Sequence, residues 1–216
     1  KLSYFEMPDE ENPALGLRAI RLCLNRKDIF KTQLKAILRA SIYGNIQIMY
    51  PMISGIEELE EANRVLEESK KELIKEGIEF DNHIKVGIMI EVPSAAILAD
   101  ILIKKVDFFS IGTNDLTQYV LAADRLGEEV SYIYDNFHPA VMKLINKIAE
   151  AAIKNGKKVS VCGEMGGDPM AVVAFLSFGI RDLSMLATLI PKIKRNIKNI
   201  DTGDLEKIKN GILSSS

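Results

Sequence analysis

The feature that most constrains the fold is an alternation of short apolar runs and helical patterns that occurs five times. Five runs, each short enough for a single strand, predict strands at residues 45–51, 85–92, 106–112, 158–163 and 180–185. Each run is followed by residues whose apolar positions recur at helical spacing. Such alternation predicts parallel strands joined by right-handed crossovers. The sequence therefore predicts an α/β fold with a parallel sheet.

The helical patterns carry start and stop signals. Ser54 and Glu57 have the spacing of a capping box, before a helix that we predict to end at Gly77. A helix is predicted for residues 93–104, and another for residues 139–155 after a long loop that follows the third strand. These signals support the assignment of helices between the strands.

Periodicity does not decide whether the sheet is open or closed. A complete (β/α)₈ barrel takes about 250 residues. This chain has 216 residues, and only five strands are predicted. A closed TIM-type barrel would therefore need strands that this chain lacks.

Charge and cysteine content narrow the function classes. The 28 Lys and Arg residues nearly balance the 30 Asp and Glu residues, and no basic stripe indicates a nucleic-acid binder. Cys23 and Cys162 form no close-spaced metal motif, and one pair in a chain of this length favours a reducing cytoplasm over a disulfide scaffold. Charges or prolines interrupt the longest apolar stretches, so no membrane span is predicted.

Polar side chains stand where three successive predicted strands end. Glu91 interrupts the end of the second strand, Asn114 and Asp115 follow the third in a Gly/Thr turn, and Cys162 lies at the end of the fourth. The carboxyl ends of parallel strands meet at one edge of a sheet, where α/β proteins place their sites. We therefore expect these groups to lie close together.

Glu91 and Asp115 are candidate ligands of a metal ion. Mg²⁺ takes one or two carboxylates and completes its octahedron with water and substrate oxygens. A two-carboxylate Mg²⁺ site that binds a phosphorylated or carboxylated ligand fits this pair. The alternative is structural: Glu91 pairs with a lysine, and Asp115 caps the following turn.

Cys162 differs from Cys23, which lies between two leucines in a predicted helix and is typical of a small core residue. Cys162 precedes a glycine-rich segment at a strand end. An unperturbed thiol, with a pKa of about 8.5, is mostly protonated at neutral pH and can donate a proton. A burial role remains the alternative.

Two arginines are candidates for anion recognition. Arg125 lies in the long loop after the third strand, and Arg18 precedes the first strand. The planar guanidinium suits a carboxylate or a phosphate. A surface salt bridge is the alternative for both.

Taken together, several segments resemble the phosphoenolpyruvate (PEP)-utilising enzymes. The segments are GTNDLTQY (112–119), IMIEVP (88–93), ADR (123–125), CGEMGGD (162–168) and NPALGLRAIR (12–21). They occur in the family's order, and the resemblance covers residues 1 to about 199. Within the family, Tyr119, the ADR tripeptide and SMLATLIPKIK (184–194) are more similar to the phosphotransferase-system branch than to pyruvate phosphate dikinase or PEP synthase.

The resemblance implies roles for the candidate residues. It implies a (β/α)₈ barrel that binds PEP, with Glu91 and Asp115 holding Mg²⁺. It also implies that Asn114, Asp115, Arg125 and Arg18 contact or line the PEP site. By the same resemblance, Cys162 protonates the enolate carbon, which yields pyruvate.

The resemblance also implies partners. The phosphoryl group passes to a histidine on a separate phosphohistidine domain and then to the carrier protein HPr, and the barrel forms a homodimer in the cytoplasm. We expect residues 1–216 to be a fragment of such a barrel, without the phosphohistidine domain and the first three strands, and unable to complete the transfer alone. Three other hypotheses remain: a PEP-binding domain like that of pyruvate phosphate dikinase or PEP synthase, a Mg²⁺-dependent aldolase or lyase on the same fold, and a catalytically inert fragment.

Overall fold

The five predicted strands form one parallel sheet in the computed structural model, which describes residues 10–215. They are β1 (Gln47–Tyr50), β2 (Lys85–Ile90), β3 (Phe108–Gly112), β4 (Lys158–Cys162) and β5 (Asp182–Leu183). Each strand is shorter than the apolar run that predicted it. Neighbours along the chain are neighbours in the sheet, in the order β1-β2-β3-β4-β5.

This sequential order identifies the sheet as part of a barrel. In a doubly wound sheet the strand order reverses at a switch point, and helices cover both faces. Here the order does not reverse, and right-handed crossovers that advance in one direction place the helices on one face. The prediction of a partial (β/α)₈ barrel is confirmed, and the other face of the sheet is the barrel interior.

Ten α-helices lie within residues 10–215. They are α1 (Ala19–Asn25), α2 (Lys27–Ala40), α3 (Ile56–Lys75), α4 (Pro93–Ile97), α5 (Ala99–Leu102), α6 (Thr113–Leu121), α7 (Pro139–Lys154), α8 (Pro169–Ser177), α9 (Ile190–Lys198) and α10 (Leu205–Ser214).

The predicted capping box at the start of α3 is wrong. Gly55, not Ser54, is the residue that caps the helix. The backbone N–H and the hydroxyl of Ser54 both donate to the carboxylate of Glu58 at 2.6 Å. In a capping box the two side chains would each accept from the other residue's backbone. Here the Glu58 carboxylate, one residue beyond the predicted Glu57, accepts both hydrogen bonds from Ser54. The predicted stop at Gly77 is confirmed by its positive φ of 70°.

The helix predicted after β2 is interrupted. The backbone leaves the helical region at Leu98 (φ −88°, ψ 12°), so that α4 and α5 are two short helices followed by a 3₁₀ turn at Ile103–Lys105. Ala95 and Ala99 are fully buried, and both helices pack against α7. Small buried residues thus lie on both sides of the break, where the segment packs against α7.

Two helices were not predicted. α6 follows β3 directly, so the predicted long loop begins only at residue 122. Its buried face consists of Thr113, Leu116 and Thr117, and two threonines in three positions do not produce an apolar stripe. α10, which packs against α8, was also missed, although Leu205, Ile208 and Ile212 recur in it at helical spacing.

The main core fills the space between the sheet and the helices. Alternate residues of the central strands, such as Ile88, Phe109 and Val161, are fully buried on the helix side. The opposite alternation, toward the barrel interior, includes Ser110 and Cys162. The sheet therefore has an apolar outer face and a partly polar inner face. No helix in the described part of the chain is long and apolar enough to cross a bilayer.

Candidate active site

Glu91 lies just past the carboxyl end of β2 and is almost fully buried, with 4% of its surface exposed. Its Oε1 accepts a hydrogen bond from the backbone N–H of Met52 at 2.6 Å. Met52 follows β1 and has a positive φ of 55°, a conformation that L residues rarely adopt. Backbone strain of this kind collects at functional sites, where the surrounding structure enforces it. At Met52 it directs a donor at the Glu91 carboxylate.

Asp115, in the first turn of α6, stands next to Glu91. Burial, together with the charge of Asp115 and a hydrogen bond with it, raises the pKa of Glu91 to about 7, against the lowering effects of the Met52 N–H and the charge of Arg18. Two carboxyl groups in contact disfavour each other's ionisation. The pair therefore holds a proton, or else needs a cation.

The carboxylate pair fits a divalent cation. Two hard oxygen donors at the open end of a barrel are the protein share of a typical Mg²⁺ site, since water and substrate oxygens complete the octahedron. Residues 10–215 contain no cluster of three or more His, Cys, Asp or Glu that would form an all-protein metal cage. The donor set suits a cation that is shared with a bound ligand.

Arg18 meets the same pair from the segment before α1. Its Nη2 lies 3.8 Å from Oδ2 of Asp115, and its Nη1 donates to the hydroxyl of Tyr119 at 3.2 Å. Tyr119 in turn donates to the carbonyl of Ala14 at 2.5 Å. The guanidinium is thus fixed by two residues one turn apart on α6, and its side chain remains 39% exposed and able to meet an anion.

Cys162 ends β4, on the inner face of the sheet. Its thiol donates to the Ile111 carbonyl at 3.4 Å and accepts from the Ser110 hydroxyl at 3.3 Å. Burial raises the pKa of Cys162, and the charges of Glu91 and Asp115 act in the same direction, while the Ser110 hydrogen bond opposes them. The sulfur is therefore protonated at neutral pH, as a proton donor requires. Like Cys23, it is a free thiol.

Asn114 bridges the ends of β3 and β4. Its Oδ1 accepts from the backbone N–H of Glu164 at 3.2 Å, and its backbone carbonyl accepts from the Tyr134 hydroxyl at 3.1 Å. Gly163 has φ 104°, and a Cβ there would lie 2.6 Å from the Thr113 hydroxyl and 3.0 Å from Asn114 Oδ1. A residue without a side chain is needed where the two strand ends approach.

Arg125 lies exposed in the loop after α6. Its backbone N–H donates to the side chain of Gln118 at 3.3 Å. Burial raises the pKa of Tyr134, and the charge of Arg125 lowers it, so the guanidinium is within electrostatic range of a residue bonded to Asn114. Contact between Arg125 and a substrate stays a prediction.

A separate apolar groove of about 300 Å³ lies between α7, α8 and α10. Phe137, Met142, Met170 and Ile212 are among the residues that line it. None of the candidate residues lines this groove. The polar convergence at the strand ends, rather than this groove, is the candidate site.

Three contributors to the site were missed from sequence: Met52, Ser110 and Tyr134. Ser110 had a signal, because it is a polar residue that interrupts the apolar segment 108–111. Met52 had none, since it acts through its backbone. The structure brings Arg18, Glu91, Asn114, Asp115 and Cys162 to one edge, as expected, but Asn114 and Asp115 lie on a helix rather than on a turn.

Residues 1–202 match the family described as PEP-utilising enzyme, PEP-binding domain. The chain belongs to this family. The resemblance seen in the sequence motifs is confirmed, and it covers nearly the whole chain.

Curated relatives are similar to this chain over its whole length. The chain is 50% identical over its full length to the phosphoenolpyruvate-protein phosphotransferases of Priestia megaterium and Bacillus subtilis, and it spans 38% of each. It is 47% identical over 99% of its length to that of Geobacillus stearothermophilus, and spans 37% of it. The chain therefore corresponds to little more than a third of these relatives.

Among solved structures, a citrate lyase from Burkholderia xenovorans has a similar fold. It superimposes with a TM-score of 0.58 at 20% identity, over 85% of this chain and 58% of the lyase. At this identity the likeness supports the barrel-type fold alone.

Proposed function

We propose that this chain is the PEP-binding part of a phosphoenolpyruvate-protein phosphotransferase, Enzyme I of the bacterial phosphotransferase system. The observation that carries the proposal is the meeting of Glu91, Asp115, Arg18 and Cys162 at one edge of the sheet. Conversion of PEP to pyruvate needs neutralisation of phosphate charge, which two carboxylates with a metal ion and an arginine can provide. It also needs an acid that protonates the enolate, which a protonated thiol can provide. The relatives that bear this name are half identical to the chain.

Glu91 and Asp115 would hold Mg²⁺, which when bound neutralises phosphate charge during phosphoryl transfer. Arg18 and Arg125 would bind the phosphate or carboxylate of PEP, because guanidinium groups pair well with both. Asn114 and Asp115 would complete the contacts to the substrate. Proximity of Arg18 to Asp115, at 3.8 Å, supports a shared site for the metal and the anion.

Cys162 would supply the proton that converts enolpyruvate into pyruvate. Its raised pKa keeps the thiol protonated at neutral pH, and its position at the end of β4 places it across Gly112 from the carboxylate pair. An aldolase or lyase on this fold would not need the thiol. Full turnover with PEP in Cys162→Ala would therefore favour that other class.

The remaining parts of the proposal concern the whole protein. We infer that residues 1–216 form one barrel unit, that a phosphohistidine domain and HPr receive the phosphoryl group in turn, and that the barrel pairs as a homodimer in the cytoplasm. The names of the relatives support a phosphotransferase. HPr, the homodimer and the compartment rest on the family resemblance.

Calorimetric titration of the chain with PEP in the presence of Mg²⁺ tests the binding role. We expect binding by the unmodified chain, loss of binding in Asp115→Asn, and unchanged binding in Asp100→Asn, since Asp100 is an exposed acidic residue of α5. If the unmodified chain gives no heat above a Mg²⁺-only control, the inert-fragment hypothesis replaces this one.

A further inference from the structure

Ser110 is a buried polar residue that the proposed roles leave unused. It lies on β3 with 6% of its surface exposed. Its Oγ is 3.3 Å from Sγ of Cys162 and is the donor of that hydrogen bond. A hydroxyl that donates to a thiol sulfur acts on the ionisation of that thiol, which a hydroxyl bonded to backbone does not.

The strand register explains the contact. Gly112 of β3 is the partner of Cys162 of β4, and Ser110 stands two residues earlier on the same face of β3. Because Gly112 has no side chain, Sγ of Cys162 is not blocked by its direct partner and can reach Ser110 along the diagonal. The distance of 3.3 Å between Oγ of Ser110 and Sγ of Cys162 shows that the two side chains meet along this diagonal.

Ser160 provides an internal comparison. It is the direct partner of Ser110 in the β3–β4 register, but its hydroxyl donates to the backbone carbonyl of Phe109 at 3.3 Å. A serine in this sheet can therefore satisfy its proton on the backbone. Ser110 instead donates to a sulfur, which is the weaker acceptor, so the position of the thiol rather than the acceptor strength accounts for the bond.

We propose that Ser110 is a positioning residue for proton transfer by Cys162, a role that rests on the function proposed above. In that step the S–H bond of Cys162 breaks and a C–H bond forms at the methylene carbon of the enolate. The S–H electron pair stays on sulfur as a thiolate. The Ser110 hydroxyl, already aimed at Sγ, stabilises that thiolate by a charge-assisted hydrogen bond.

The surroundings of the sulfur show why a donor is needed there. Before the transfer, the thiol proton is directed at the Ile111 carbonyl, at 3.4 Å. Glu91 and Asp115 are the acidic groups whose charges reach the thiol, and both disfavour a second negative charge. Ser110 is the side chain whose hydrogen bond acts in the opposite direction. Without it, the thiol would hold its proton more tightly.

Alkylation of Cys162 by iodoacetamide tests this role without requiring PEP. The rate is followed against pH in Ser110→Ala and in the matched control Ser160→Ala, and mass spectrometry of the Cys162 peptide separates it from Cys23. We expect the midpoint of the profile to rise by about one pH unit in Ser110→Ala and to stay unchanged in Ser160→Ala. At neutral pH the rate should fall only about threefold, because a thiolate of higher pKa is also more nucleophilic.

An isosteric pair guards against a folding defect. Ser110→Thr retains the hydroxyl and should keep the midpoint of the unmodified chain. Ser110→Val has the shape of the threonine variant but no hydroxyl, and it should reproduce the shift of Ser110→Ala. Equal midpoints in Ser110→Thr and Ser110→Val, or in Ser110→Ala and the unmodified chain, would overturn the proposal. If the shift is present but the chain does not bind PEP, the thiol contact stands and the proposed function fails.

Discussion

Two glutamates, Glu91 and Glu72, show how differently the edge of the sheet and the outer helices treat the same side chain. Glu91 is buried beside a second carboxylate, and its pKa rises to about 7. Glu72 lies on α3 between Lys31 and Lys35 of α2, and hydrogen bonds with these two lysines lower its pKa to about 2. On the outer helices, carboxylates such as that of Glu72 are paired with lysines of the same surface. The strand ends leave negative charge for something else to neutralise.

The contrast separates a surface whose charges are paired from a candidate binding site. The ion pairs that join α2 and α3 are exposed and carry little free energy each, since solvent screens them. The carboxylate pair at the strand ends is unfavourable by itself and becomes favourable when a cation or a proton binds. A fold that keeps such a pair gives up stability in return for affinity, a pattern typical of functional sites.

The largest expected effect is on cation binding. Glu91→Gln should weaken binding of Mn²⁺, used as a probe for Mg²⁺, by at least about tenfold, because it removes one of the two proposed carboxylate ligands while an amide oxygen can still accept from Met52. The electron paramagnetic resonance signal of free Mn²⁺, followed during a titration, measures this affinity. Glu72→Gln is the matched control and should leave the affinity unchanged; equal loss in both variants would show that the ion binds non-specifically.

A second contrast concerns glycine. Gly163→Ala should destabilise the fold by about 1–3 kcal/mol, because φ is 104° and the new Cβ would lie 2.6 Å from Thr113. Gly211→Ala, inside α10 with open space around it, should stabilise it by about 0.5–1 kcal/mol. Urea denaturation measures both. A stable Gly163→Ala protein would mean that the strand ends are less tightly fitted than described.

The pH dependence of stability should differ between the two glutamates. The pKa of Glu91 is raised in the folded chain, so its contribution is fully present below about pH 4.5 and is lost as pH rises through about 7. The shift corresponds to roughly 3 kcal/mol. The pKa of Glu72 is lowered, so its contribution is present above about pH 4.5 and is lost as pH falls toward 2.

Urea denaturation between pH 4.5 and 7.5, with a chelator present, tests the Glu91 part. As pH rises, the unfolding free energy of the unmodified chain should fall relative to that of Glu91→Gln, because the unmodified chain must ionise a buried carboxyl group. Parallel curves for the two proteins would contradict the assigned shift. Below pH 4.5, the unmodified chain should lose more stability than Glu72→Gln.

The smallest effect is expected at Glu72 itself near neutral pH. Glu72→Gln removes one acceptor shared by Lys31 and Lys35, but Glu68 and Glu76 remain as partners of these lysines. The melting temperature should fall slightly in low salt and should equal that of the unmodified chain in about 1 M salt, where exposed pairs are screened. A large, salt-independent loss would show that this surface is more than a solvated helix pair.

The sequence predicted the strands and most of the helices because their signals are local. An apolar run of strand length, or apolar residues at helical spacing, can be recognised within one segment. The helix α6 was missed because it buries two polar residues, Thr113 and Thr117. The capping box of α3 was wrong because Ser54 donates to Glu58 instead of bonding reciprocally with Glu57. At Leu98 the backbone leaves the helical region and separates α4 from α5, although the segment has no glycine or internal proline that predicts a break.

The sequence by itself determined the five β/α units and the residue types that gather where the strands end. The tertiary structure decided which of these groups meet: Glu91 with Asp115, Met52 N–H with Glu91, and Ser110 with Cys162. Such pairs join residues 24 to 52 positions apart in the chain, and strand register and side-chain direction set their distances. Local periodicity carries no information on either, so only the folded chain shows that two carboxylates share the nearby charge of Arg18.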